Sequence, residues 1–125
     1  MKKLGRHLII ELYGCDVARL TDARAIRQHM ITAAEISGAT VVGEKFHTFN
    51  PHGVSGVVVL AESHFSIHTW PEYNYAAIDC FTCGDHCNPR KGCDYLKKAL
   101  SATDESITEL PRGLPSGNHK ISEAS

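Results

Sequence analysis

At 125 residues, with 42% apolar residues and a formal net charge of −1, the chain reads as one folded domain with a modest core, not a disordered segment. The charge balance gives no general attraction to nucleic acid or to an anionic membrane, and no apolar run approaches the roughly 20 residues needed to cross a bilayer. The start imitates a secretory leader, but Arg6, His7 and Glu11 interrupt its apolar stretch and no small-residue cleavage site follows, so a cytoplasmic location is expected.

Residues 5–13, GRHLIIELY, predict a strand with Leu8, Ile10 and Leu12 on one face. Thr21 or Asp22 caps a helix running to about Ser37, where Ile26, Met30, Ala33 and Ala34 fall at helical spacing and Gly38 supplies the stop. Residues 40–49 return as a strand, and Asn50-Pro51-His52-Gly53 turns the chain. A more buried strand, VSGVVVLA, covers residues 54–61. Residues 64–70 alternate, with Phe65, Ile67 and Thr69 opposite His64, Ser66, His68 and Trp70. After a turn at Pro71–Asn74, YAAIDCFTC forms a strand over residues 75–83. Asn88-Pro89 then starts a helix to about Leu100 that buries Cys93, Leu96 and Leu100. Residues 106–110 give a last strand, and a polar tail over about 112–125 is expected to be mobile.

This order lacks the strict alternation of a doubly wound parallel sheet. Consecutive strands joined by short turns imply an α+β fold, an antiparallel sheet with helices packed on one face, in a single domain spanning residues 1–125.

The chemistry concentrates in residues 61–72, AESHFSIHTWPE, at the end of an apolar strand. The cysteines offer one alternative. Cys80-x2-Cys83-x3-Cys87-x5-Cys93, with His86 nearby, suggests a non-enzymatic metal-binding module. Zinc sites usually pair two short ligand knuckles across a long spacer, whereas these ligands are bunched, so no metal is assigned. Cys80 and Cys93 are expected in the core and Cys87 as an exposed thiol. Five cysteines in an apparently unsecreted chain also argue against a disulfide framework. A Ser-His-carboxylate hydrolase has its residue types in Ser63, His68 and Glu62 or Asp79, but no G-x-S-x-G elbow surrounds Ser63.

The third reading turns the backbone on itself. A serine hydroxyl attacks the carbonyl before it and converts the amide into an ester. Elimination then breaks the chain and leaves dehydroalanine, which hydrolyses to an N-terminal pyruvoyl group. That ketone condenses with a substrate amine, and the imine takes up the electrons released as carbon dioxide leaves. A nearby acid, for which a thiol is suitable, then protonates the carbanion. The requirement is a serine at a strained or exposed turn with a base to move protons, and AESH, with Ser63 at the bend after a buried strand, offers both.

The segment GVSGVVVLAESHFSIHTWPEYNYAAIDCFTCGD, residues 53–85, with the opening LGRHLIIELYGC and the helix near SGAT, resembles the prokaryotic S-adenosylmethionine decarboxylase proenzymes over about residues 4–100. The resemblance implies cleavage between Glu62 and Ser63, giving a β chain of residues 1–62 and an α chain, 63–125, headed by a pyruvoyl group made from Ser63. It implies that His68 is the base in self-processing, that Cys83 is the proton donor to the decarboxylated carbon, and that Ser55 assists processing. It also implies a homodimer of processed protomers. The product would be the aminopropyl donor of spermidine synthesis.

An adenine ring and a sulfonium call for aromatic faces, and ribose hydroxyls call for a carboxylate; Phe49, Trp70 and Glu72 are the candidates. His64 either polarises the ester intermediate or caps a turn. Relatives acting on arginine or ornithine would share the same processing motif. One feature fits badly: five positions apart on an ideal strand, Ser63 and His68 face opposite ways and lie about 16 Å apart. Either residues 62–65 bend back, or a second protomer supplies one of the pair.

Overall fold

Alternating burial along the strands decides which side of the sheet becomes the core. In β1 (Gly5–Tyr13) Leu8, Ile10 and Leu12 are buried, and in β4 (Ser63–Trp70) so are Phe65, Ile67 and Thr69. In β5 (Tyr75–Cys83) the buried set is Ala76, Ile78, Cys80 and Thr82, while β3 (Val54–Leu60) contributes Val54, Val58 and Leu60. The apolar side chains among these meet Ile26, Met30, Ala33 and Ala34 of α2 (Ala23–Ile36) and Cys93 and Leu96 of α3 (Pro89–Ala99) in one cluster. Full burial of each large aliphatic side chain there is worth about 1.5–3 kcal/mol. The computed structural model of the chain describes residues 3–115 and residue 119.

With β2 (Val41–Thr48) and β6 (Asp104–Arg112), the strands form one six-stranded sheet in the order β2-β3-β4-β5-β1-β6. Every ladder is antiparallel. The expected α+β architecture is present. β1, first in the chain, lies between β5 and β6, which come late. Helices cover one face, and among the described residues no element covers the other. No helix among them is long and apolar enough to cross a membrane.

Local chemistry accounts for the boundaries. Asp22, not Thr21, caps α2, its side chain accepting from the Ala25 amide at 3.1 Å. Asn88 caps α3 ahead of Pro89, accepting from the Arg90 amide at 3.2 Å. A short helix absent from the sequence reading, α1 (Val17–Thr21), is capped by Asp16 and buries Leu20 completely. The buried hydroxyl of Thr69 explains why α1 docks there. It accepts from the Val54 amide at 2.9 Å and donates to the Leu20 carbonyl at 2.8 Å, tying β4 to β3 and α1.

Three expectations are corrected. β6 begins at Asp104 and runs to Arg112, longer than residues 106–110, because β1 pairs with it from Gly5 to Tyr13. Arg112 is therefore ladder-bound, and most of the expected mobile tail lies outside the described residues. Cys87 is not an exposed thiol but 4% exposed, since the chain after β5 folds back onto the end of α2, where the Asn88 amide donates to the Ser37 carbonyl at 2.8 Å.

Candidate active site

The hairpin between β3 and β4 is as tight as a hairpin can be. Leu60 pairs with Ser63, so only Ala61 and Glu62 form the turn. Ser63 leaves it at φ 145°, a positive value that a side chain disfavours, and such strain costs on the order of 1–3 kcal/mol. Its neighbour Glu62 is gripped on both sides. The Thr40 amide donates to one carboxylate oxygen at 2.9 Å, and His86 Nε2 lies 3.0 Å from the other. These bonds, the Thr40 amide first and His86 second, hold the Glu62 carboxyl below its ordinary pKa.

The main-chain carbonyl of Glu62 is held as firmly. It accepts from the Cys83 amide at 2.9 Å and from the Cys83 thiol at 2.8 Å. Two donors converging on one carbonyl oxygen polarise it and await negative charge there, the geometry of an oxyanion hole. Cys83 is exposed, at the end of β5, one residue beyond the Ser63–Thr82 pair.

A second group gathers at the far end of β4. His68 pairs with Ser55 of β3 and Ala77 of β5. Its ring lies 4.0 Å from that of Trp70 and 5.3 Å from that of Phe49, and Trp70 stacks on Tyr75 at 5.4 Å. Phe49 is 40% exposed and Trp70 is half-buried, so neither ring is a plain core residue. Glu72 sits on the 3-10 turn Pro71–Tyr73 with one oxygen 3.8 Å from His52. Tyr75 donates to Glu11, and burial, reinforced by Glu11, pushes its hydroxyl far above the usual tyrosine range, so it stays protonated.

The structure thus brings Glu62, Ser63 and Cys83 together at one end of β4, and Ser55, His68, Phe49 and Trp70 at the other. It does not join the two groups within one chain. Pairing along β4 runs without a register shift from Ser63 to Trp70, so residues 62–65 do not bend back toward His68. Five positions apart along the strand, they lie about 16 Å from each other. Beside the second group, the uncovered face holds an open depression of about 560 Å³ lined by Glu11, Lys45, Ser55, His68 and Asp79.

Sequence reasoning missed His7 and Arg112. His7 Nε2 lies 2.7 Å from Asp79 Oδ2, and Arg112 Nη1 donates to His7 Nδ1 at 2.8 Å. The available signal was alternation: His7 falls on the face of β1 opposite Leu8, as Asp79 falls opposite Ile78 on β5. All five cysteines are free, and Cys15, Cys80, Cys87 and Cys93 are buried. Burial raises the pKa of each of these four thiols, to about 11 for Cys15 and Cys93. The cysteines do not converge as one metal cluster among the described residues, although Cys87 stands with Glu62 and His86 in a set of three potential ligands.

A strained serine following a carbonyl that accepts two hydrogen bonds, on the hairpin of a helix-backed antiparallel sheet, defines a class of α+β chain with a hydroxyl set beside a polarised peptide. Residues 6–113 match the family model described as S-adenosylmethionine decarboxylase. The chain is 55% identical over 113 residues to the S-adenosylmethionine decarboxylase proenzyme of Fervidobacterium nodosum, covering 90% of this chain and 82% of that one. It is 56% identical to the proenzyme of the same name from Thermotoga maritima, covering 90% and 87%. The crystal structure of the adenosylmethionine decarboxylase from Aquifex aeolicus superimposes with a TM-score of 0.86 at 34% identity, covering 97% of this chain and 100% of that one. The chain belongs to the S-adenosylmethionine decarboxylase family.

Proposed function

We propose that the chain is a proenzyme that cleaves itself between Glu62 and Ser63 and then, as a pyruvoyl-dependent enzyme of the cytoplasm, decarboxylates S-adenosylmethionine. The products are carbon dioxide and the decarboxylated aminopropyl donor for spermidine synthesis. The observation that carries the reading is the Glu62 carbonyl, held by two donors of Cys83 while the residue that would attack it, Ser63, sits at φ 145°. The residues around position 63 fit a self-derived group, because the polarised Glu62 carbonyl and the strained Ser63 torsion flank the one bond that must be broken. A pyruvoyl ketone supplies the electron sink that decarboxylation needs.

The chain's own residues do the rest. Cys83 holds a proton at Sγ beside position 63, where the carbon that loses carbon dioxide must be protonated. Phe49 and Trp70 offer aromatic faces to an adenine ring and a sulfonium, and Glu72 offers a carboxylate to ribose hydroxyls. His68, assisted by Ser55, acts as a base in processing. It does so across a homodimer, because its own Ser63 is out of reach and the sheet face carrying His68 is uncovered.

Mass spectrometry under denaturing conditions tests the processing step. Two chains are expected, residues 1–62 and a fragment beginning with a pyruvoyl group at position 63. Only intact polypeptide with an unmodified Ser63 would exclude it. Carbon dioxide release from S-adenosylmethionine, compared side by side with arginine and ornithine, tests the substrate, and release from either amino acid alone would reassign it.

A further inference from the structure

The self-cleavage just proposed needs a base for its first step, and within one chain His68 stands about 16 Å along the strand from Ser63, so it reaches a serine only from a partner subunit. A different histidine is already in place. His64 Nδ1 lies 3.4 Å from Ser63 Oγ, and the other nitrogen of the same ring, Nε2, lies 3.4 Å from Asp79 Oδ2. We propose that Ser63, His64 and Asp79 form a relay in which His64 is the base that starts self-cleavage and Asp79 is the residue that positions it. This rests on the self-cleaving reading above and gives its first proton transfer to a named atom.

The surroundings fix the relay's direction. Arg112 donates to His7 Nδ1 at 2.8 Å, so the proton of the His7 ring sits on Nε2 and points at Asp79 Oδ2, 2.7 Å away. Ser66 donates to the other oxygen of the same carboxylate. Held by these two donors, Asp79 presents an acceptor to His64 Nε2–H, which leaves His64 Nδ1 as the lone pair facing Ser63. Phe81 of β5 props both rings toward Asp79: His7 stacks on it at 4.9 Å and His64 meets its edge at 5.7 Å. Contacts of 3.4 Å are long, as they commonly are before a reacting geometry tightens.

The step balances without any outside reagent. Ser63 Oγ gives its proton to His64 Nδ1 as the bond from Oγ to the Glu62 carbonyl carbon forms. The charge that develops on the carbonyl oxygen meets the Cys83 amide and thiol. His64 then returns the proton to the Ser63 nitrogen as the carbon–nitrogen bond breaks. The product is an ester isomeric with the starting chain. Removal of the Ser63 α-proton, which expels the Glu62 carboxylate, is a separate step, and it is the one left to His68 of the partner subunit. The two histidines thereby serve different steps.

The experiment compares His64→Gly, His64→Gln, Asp79→Asn, Asp79→Glu and His68→Ala proenzymes, following cleavage by mass and probing each with hydroxylamine, which breaks an ester at position 62 but spares an amide. His64→Gly is expected to cleave 10²- to 10³-fold more slowly, roughly the share of a general base, to resist hydroxylamine, and to speed up when imidazole is added. His64→Gln, which keeps bulk and polarity but no basic nitrogen, is expected to be equally slow. Asp79→Asn is expected to stall as the amide, and Asp79→Glu, which restores an acceptor for His64 Nε2–H, to recover cleavage. His68→Ala is expected to accumulate a hydroxylamine-sensitive ester. Cleavage at the wild-type rate by either His64 variant, or an ester in place of an amide in His64→Gly, overturns the relay while the pyruvoyl reading survives. A wild-type chain that never cleaves removes the pyruvoyl reading itself.

Discussion

Ser63 combines a nucleophile with a backbone torsion suited to glycine, and the two properties are separable by substitution. Neither Ser63→Ala nor Ser63→Gly has a hydroxyl, so both are expected to remain uncut and inactive. They should nevertheless differ in stability: glycine accepts φ 145° and alanine does not, so Ser63→Gly should be the more stable by about 1 kcal/mol, read as a higher thermal midpoint. Equal midpoints would remove strain from the explanation. Cys83→Ala loses the thiol donor but keeps the amide, so cleavage should slow, up to about 10²-fold, without stopping, and the cleaved enzyme should decarboxylate poorly or misprotonate its product. Glu62 provides a pH reading. Its folded pKa is depressed, so its bond to the Thr40 amide is present above the ordinary glutamate pKa and is lost only as pH falls through a lower value. In the uncut Ser63→Ala protein the Thr40 amide shift should titrate with a midpoint below 4.5, and His86→Ala should move that midpoint upward.

The packing of α3 on α2 depends on a missing side chain. A β-carbon on Gly92 would lie 2.7 Å from the Ala33 carbonyl oxygen and 2.5 Å from Ser37 Oγ. Alanine is intrinsically better than glycine inside a helix by about 0.5–1 kcal/mol, but the contact is with backbone and cannot swing aside, so the clash wins. Gly92→Ala should lower the thermal midpoint by several degrees, with processing chemistry intact, and a raised midpoint would show that the helices have room to part. At this scale much was legible in the sequence. Strong alternation in IHTW and GRHLIIELY and the caps Asp22 and Asn88 each left a local mark. α1 left none, being five residues long, too short to display a helical period, and docked by the hydroxyl of a residue 49 positions from Leu20.

Across the whole molecule, legibility falls as sequence separation grows. Ser63, Glu62 and His64 are neighbours in the chain, and their motif could be read directly. His7 reaches Asp79 across 72 residues, and Arg112 reaches His7 across 105, through ladders that no local pattern encodes. The split of the proposed site into two ends of β4 was visible only as a misfit in strand arithmetic. The homodimer reading makes a direct prediction about it. When His68→Ala and Ser63→Ala chains are produced together, the His68→Ala chain keeps its serine and borrows a histidine from its partner, so it should be cut in the mixture and not alone. Cutting that is absent from the mixture would return His68 to its own chain.

The position of β1 has a lasting consequence for the proposed self-cleavage. Scission at residue 62 leaves β1 on the leading fragment and both its neighbours, β5 and β6, on the trailing one, so the halves are interleaved. The nick therefore frees no edge and releases no piece, and the matured molecule should hold together like dovetailed timber with its glue line gone. What changes is the way back: once melted, two separate strings must find each other, and recovery should grow with concentration in a way the uncut precursor's does not.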